Sequence, residues 1–118
     1  VHHGIDTADI GFIGVGMCYG VILEAMDILT GQGVHTQYHQ MRTLFPMLEE
    51  TAAFTRRCKS VYVVEYNATA QLAKLIIAQG GDESRINSFL KYDGTPMSAD
   101  EIVAHVLNAE GIKEVDVA

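Results

Sequence analysis

The sequence predicts an α/β domain built on a mostly parallel sheet. Two observations carry that prediction. Apolar, β-branched bursts alternate with stretches of helical periodicity along the whole chain, a pattern that calls for crossover connections and hence parallel strands. The clearest bursts, residues 8–15 and 60–66, are apolar almost throughout instead of alternating with polar residues, as in strands buried on both faces.

Taken in order, residues 8–15 form the first strand and end in glycines. Residues 19–30 carry a polar stripe at Gly20, Glu24, Asp27 and Gly31, spaced three and four apart, which predicts a helix with one solvent-facing edge. Gly31 and Gly33 stop it. A second strand follows over 34–41, more polar than the first and so expected near a sheet edge or with an exposed face. Leu44-Phe45-Pro46 then introduces a short helix over 48–57. Val61-Tyr62-Val63-Val64 marks the next strand, 60–66. Residues 69–79 read as a helix whose Leu72, Ala73, Leu75, Ile76 and Ile77 pack inward, ended by Gly80-Gly81. Residues 86–90 form a short strand. Ser98-Ala99-Asp100-Glu101 is a capping box that opens a last helix through about 109, burying Ile102, Val103, Val106 and Leu107.

At 118 residues there is room for one domain, 1–118, with an α/β core over 8–110 and a tail or added edge strand over 111–118. The formal net charge of −7 and the scatter of eight Lys and Arg exclude a phosphate-binding nucleic-acid surface. No apolar run reaches the ~18–20 residues of a membrane span. Cys18 and Cys58 belong to no C-x-x-C pair, which fits a reducing, cytoplasmic compartment and gives no iron–sulfur or zinc signature. Asn67-Ala68-Thr69 matches a glycosylation acceptor only formally, since no secretory signal accompanies it.

The stretch Gly11–Ala25 admits two chemical readings. Gly14, Gly16 and Gly20 make a loosened dinucleotide-binding glycine run. Its second strand ends Gln40-Met41-Arg42 without the ribose-binding acid, leaving an NADP site in which Arg42 faces the 2′-phosphate. Gly16-Met17-Cys18-Tyr19-Gly20 instead has the spacing of a nucleophile elbow, with Cys18 as the thiol of a thiol enzyme. Against both stand plainer readings: tight turns select glycine, and Cys18 is a small buried hydrophobe without a base, since His35 and His39 lie inside a strand and His105 lies mid-helix. His2-His3 lacks a third metal ligand. Glu65-Tyr66-Asn67, at the end of the best strand, sits where open sheets gather ligands and partners. Its plainer reading is that Asn67 caps the next helix and Glu65 is solvated.

Three further stretches act together: Met41-Arg42-Thr43-Leu44-Phe45-Pro46, Val63-Val64-Glu65-Tyr66-Asn67 with Gln71-Leu72-Ala73, and Leu90-Lys91-Tyr92-Asp93-Gly94-Thr95-Pro96. In this order and at these separations they resemble the C-terminal domain of the α subunit of 2-oxoacid:ferredoxin oxidoreductases. Those thiamine-diphosphate enzymes convert 2-oxoacids oxidatively to acyl-CoA and pass electrons to ferredoxin.

The resemblance covers roughly residues 8–107 and implies a three-layer α/β/α sandwich like the transketolase C-terminal domain. Gly16 and Gly20 match the frame of the family's first turn, while Met17 and Cys18 replace its pair of small hydroxyl residues. The resemblance further implies a non-catalytic assembly domain or split subunit, inactive alone. It would work with other domains or subunits and reach ferredoxin through the complete complex, with homo-oligomerisation left open. Thiamine diphosphate, Mg, iron–sulfur clusters and CoA would be held elsewhere. Arg42, Glu65 and Asn67 match family positions and, with Gly16, Cys18 and Gly20, are expected at interfaces or at the carboxyl edge of the sheet.

Overall fold

A computed structural model describes residues 2–5, 7–41, 49–67 and 69–112. Five strands and four helices follow one another: β1 (His2–Gly4), β2 (Ile10–Val15), α1 (Tyr19–Gly31), β3 (Thr36–Met41), α2 (Glu49–Arg57), β4 (Ser60–Glu65), α3 (Gln71–Ala78), β5 (Ile86–Leu90) and α4 (Ala99–Glu110). They form one sheet in the order β1-β3-β2-β4-β5. β2, β3, β4 and β5 are parallel, and β1 runs antiparallel to β3 with His2 opposite His39.

Alternation along the central strands sorts the core into two layers. Ile10 and Phe12 of β2 and Tyr62 and Val64 of β4 point toward α1 and α4, where they meet Ile22, Leu29, Ile102 and Val106. Ile13 of β2 and Val61 and Val63 of β4 point the other way, toward Phe54 of α2 and Leu72 and Ile76 of α3. Helices therefore cover both faces, and the expected three-layer α/β/α sandwich is the observed one. Gly11 is needed for the second layer: a Cβ there would lie 2.7 Å from both Cys58 Sγ and a Phe54 ring carbon.

Three expectations need adjusting. β1 carries no apolar pattern and escapes sequence reading. It exists because its backbone pairs with β3 and His2 Nε2 lies 2.8 Å from Gln37 Oε1. β3 lies beside the edge strand β1, as expected of a strand near the sheet edge, but it carries no exposed face: among its buried polar side chains Gln37 Nε2 donates to the Ala8 carbonyl at 2.8 Å, and His39 Nε2 lies 2.9 Å from Thr51 Oγ1. In α3 only Leu72, Ala73 and Ile76 are buried, whereas Leu75 and Ile77 remain half-exposed.

The last helix starts as expected, with Ser98 Oγ accepting from the Glu101 amide at 3.1 Å. The Glu101 carboxylate is drawn away from the reciprocal half of the box by Lys91 Nζ, 3.1 Å distant. The helix-introducing Leu44-Phe45-Pro46 and the tail from 113 onward lie outside the described residues.

Candidate functional site: the crevice between β2 and β4

From β2 the chain crosses through α1 to β3, and from β4 through α3 to β5, on opposite sides of the β2–β4 pair and over opposite faces. The departing connections leave a gap beyond the carboxyl ends of β2 and β4, the topological switch point at which open α/β sheets bind ligands. A cavity of about 270 Å³ lies there, walled by Val15, Met17 and Cys18 on one side and by Val64–Asn67, Gln71, Leu72 and Leu75 on the other.

Glu65 is the unexpected member. The expectation of a solvated side chain is wrong: Glu65 is 4% exposed. Its Oε1 accepts from the Leu72 amide at 2.5 Å and from Asn67 Nδ2 at 2.9 Å, and its Oε2 accepts from the Ala73 amide at 3.0 Å. The carboxylate thus occupies the N-terminus of α3, where free amides and the helix dipole favour negative charge. Asn67 caps the same helix, as its plainer reading had it, through Oδ1 accepting from the Thr69 and Gln71 amides at 3.0 and 3.4 Å. The turn between them carries a left-handed residue without being glycine, Ala70 at φ 53°. Tyr66 leans out of this turn and is tied by its hydroxyl, which accepts from the Met97 amide at 2.9 Å.

Across the gap, Gly16–Cys18 form a single 3₁₀ turn that leads into α1. Cys18 is 1% exposed and its thiol points at the Val64 carbonyl, 3.7 Å away. Burial, and secondarily the nearby Glu65 charge, push the thiol up to about 11. That is the reverse of an activated nucleophile, whose thiolate needs a positive surrounding. Among the described residues, those lining the crevice include no histidine.

The glycines have mechanical roles or none. A Cβ on Gly14 would lie 2.8 Å from Ile22 Cδ1, so Gly14 lets α1 close onto β2, whereas a Cβ on Gly20 would meet nothing within 4 Å. The structure therefore brings Cys18, Glu65 and Asn67 to one crevice, with Gly16 in its wall's turn and Gly20 just beyond it. Arg42 lies outside the described residues. His2 and His3 are engaged by Gln37 and Gln40, and no group of three metal-ligating side chains occurs among the described residues. Sequence reasoning missed Met17 and Leu75 as crevice walls. The sequence carried no signal for Leu75, whose apolar spacing reads as inward-facing although the structure leaves it half-exposed.

No protein-family model matches the chain. The α subunit of 2-oxoacid:ferredoxin oxidoreductase 2 from Aeropyrum pernix is 30% identical over 110 residues, 90% of this chain and 16% of that subunit. The α chain from Thermoplasma acidophilum, described as that of a probable 2-oxoacid ferredoxin oxidoreductase, is 32% identical with a TM-score of 0.58, and the match covers 94% of this chain and 96% of that one. The chain belongs to the 2-oxoacid:ferredoxin oxidoreductase α-subunit family.

A 2-oxoglutarate:ferredoxin oxidoreductase from Magnetococcus marinus, solved with 2-oxoglutarate, coenzyme A and succinyl-CoA bound, superposes more closely. Its TM-score is 0.81 at 32% identity, over 92% of this chain and 19% of that chain. The α-subunit domain thus spans less than a fifth of the A. pernix and M. marinus chains. A split-gene transketolase, described as an inactive β4 tetramer, matches over 95% of this chain and 42% of its own at a TM-score of 0.73 and 20% identity, which shows a shared fold alone. For an α-subunit domain of this family, the nucleotide-binding and thiol-enzyme readings of the first turn are not favoured. No helix among the described residues is long and apolar enough to cross a membrane.

Proposed function

We propose that this chain is a non-catalytic assembly domain, or a split subunit, of a cytoplasmic 2-oxoacid:ferredoxin oxidoreductase, acting in oxidative decarboxylation only together with its partner chains and reaching ferredoxin through them. The observation that carries the reading is the state of the crevice at the switch point. Its one carboxylate is committed to capping α3, and its one thiol is buried and held protonated. Neither is available as a base or nucleophile.

The same arrangement does not fit thiamine diphosphate. The amides at the α3 N-terminus, the natural seat for a diphosphate, already carry Glu65. Among the described residues no three His, Cys, Asp or Glu side chains come together in the way that an iron–sulfur cluster or a carboxylate-bound magnesium would call for. In this reading thiamine diphosphate, Mg, the clusters and CoA belong to other domains or subunits.

Two measurements test it. The purified chain shows no saturable thiamine diphosphate binding by calorimetry and no 2-oxoacid-dependent reduction of ferredoxin, and co-expression with the remaining subunits yields a complex that contains it. Cofactor binding or turnover by the chain alone would sink the reading.

A further inference from the structure

The crevice walls are unusual in what they leave uncovered. Met17 is 74% exposed and Tyr66 37% exposed, and half-buried Leu75 continues the same apolar rim above Leu72. Rims of this kind mark docking surfaces. Beneath the rim lies a buried carboxylate whose hydrogen bonds all come from N–H donors, and no ion pair among the described residues involves it. Buried charges are normally paired, and a negative charge at the bottom of an apolar cleft projects an attractive field for cations. The chain's net charge of −7 adds to that field. Anions are opposed twice over, because Glu65 both repels them and holds the amides that would have bound them.

We propose that this crevice docks an apolar segment of another domain or subunit of the oxidoreductase that inserts one lysine or arginine toward Glu65. The proposal rests on the assembly reading above. A long basic side chain suits the place: its aliphatic stem lies along Met17, Val64 and Leu72 while its charged head meets the carboxylate, and about 270 Å³ accommodates one such side chain. The charge fixes the register of docking and the apolar rim excludes water from it.

The test compares the isolated chain with the complex assembled from its remaining subunits. Met17→Cys introduces an exposed thiol beside two native cysteines that are buried, so wild type supplies the background. N-ethylmaleimide modifies Met17→Cys rapidly in the isolated chain and at least about tenfold more slowly in the complex, whereas Tyr92→Cys, at a position 68% exposed and away from the crevice, is modified equally in both. Equal rates for Met17→Cys in both states overturn the docking site. The sign of the partner's charge is read from a second pair of variants that leave the core intact. Met17→Lys weakens association by about tenfold and Met17→Glu by much less, and equal losses overturn the cationic anchor. A wild-type chain that does not associate with the remaining subunits overturns the assembly reading itself. An intact complex with an unprotected Met17→Cys removes only the docking site.

Discussion

The Glu65 carboxylate, at the carboxyl end of β4, accepts the amide hydrogen of Ala73 in the first turn of α3 at 3.0 Å. With the Leu72 amide on its other oxygen, one side chain satisfies two helix-terminal donors that would otherwise be buried unpaired. Leaving such donors bare costs about 1–3 kcal/mol each way it is measured. Glu65→Ala is therefore expected to lower the unfolding free energy by at least about 1–3 kcal/mol, read as a fall in the urea midpoint with an unchanged slope. Asn67→Ala removes acceptors from two exposed amides and is expected to cost less, about 1 kcal/mol. The reverse ranking would show that Asn67, not Glu65, is the principal cap.

Glycine substitutions separate packing from phosphate binding. Gly11→Ala forces a methyl to 2.7 Å from Cys58 Sγ and from Phe54, an overpacking expected to cost about 1–3 kcal/mol. Gly20→Ala meets nothing and lies within α1, so it is expected to be neutral or to stabilise by up to about 1 kcal/mol. Equilibrium unfolding of the two variants gives the comparison. NADP titrated into wild type is expected to leave the melting temperature unmoved, where a ligand at about 100 times its Kd would add about 2.7 kcal/mol.

The parallel core was legible because strands buried on both faces must be apolar throughout, which β2 and β4 are. Ser98 was legible for the opposite reason: its capping contact is local, three residues long. What escaped depends on distant residues. β1 is three residues of backbone pairing with no pattern of its own, visible only once β3 lies beside it. β3 reads as polar because the partners that bury its side chains, Ala8 for Gln37 and Thr51 for His39, lie 29 and 12 residues away. Glu65 was singled out by its place at a strand end, yet its burial follows from amides seven and eight residues on, which no short motif announces.

His39 links stability to pH. It is 8% exposed, and burial pushes its pKa down from 6.5 to about 4, with Arg57 and His2 acting in the same direction. Between those two values the unfolded chain binds a proton that the folded chain does not. The stabilisation is therefore complete above about pH 6.5, is lost as pH falls toward about 4, and changes no further below that. Its full extent is on the order of 3 kcal/mol. Partly buried His105, also lowered by burial, adds in the same sense. Urea midpoints measured from about pH 7 down to about pH 4 are expected to fall steadily, and His39→Gln is expected to flatten that fall. A profile equally steep in His39→Gln would move the effect to other groups.

Cys18 offers the sharpest contrast between a sequence pattern and its chemistry. A cysteine in a strand-to-helix turn should gain acidity from the helix dipole, yet here the thiol is 1% exposed, faces the Val64 carbonyl and shares the crevice with the Glu65 charge. Desolvation and a like charge both disfavour the thiolate, and together they outweigh a dipole contribution of about 0.3–1 kcal/mol. In the folded chain Cys18 is expected to resist iodoacetamide at neutral pH and to react appreciably only as pH approaches about 11, while in denaturant it reacts as an ordinary thiol with a pKa near ~8.5. Cys58, buried and likewise raised to about 11, is expected to behave the same way, so Cys58→Ala isolates the Cys18 signal. Rapid alkylation of Cys18 at neutral pH in the folded chain would restore the nucleophile reading. Slow alkylation leaves the thiol as a small apolar wall of the crevice, its role confined to shaping what docks there.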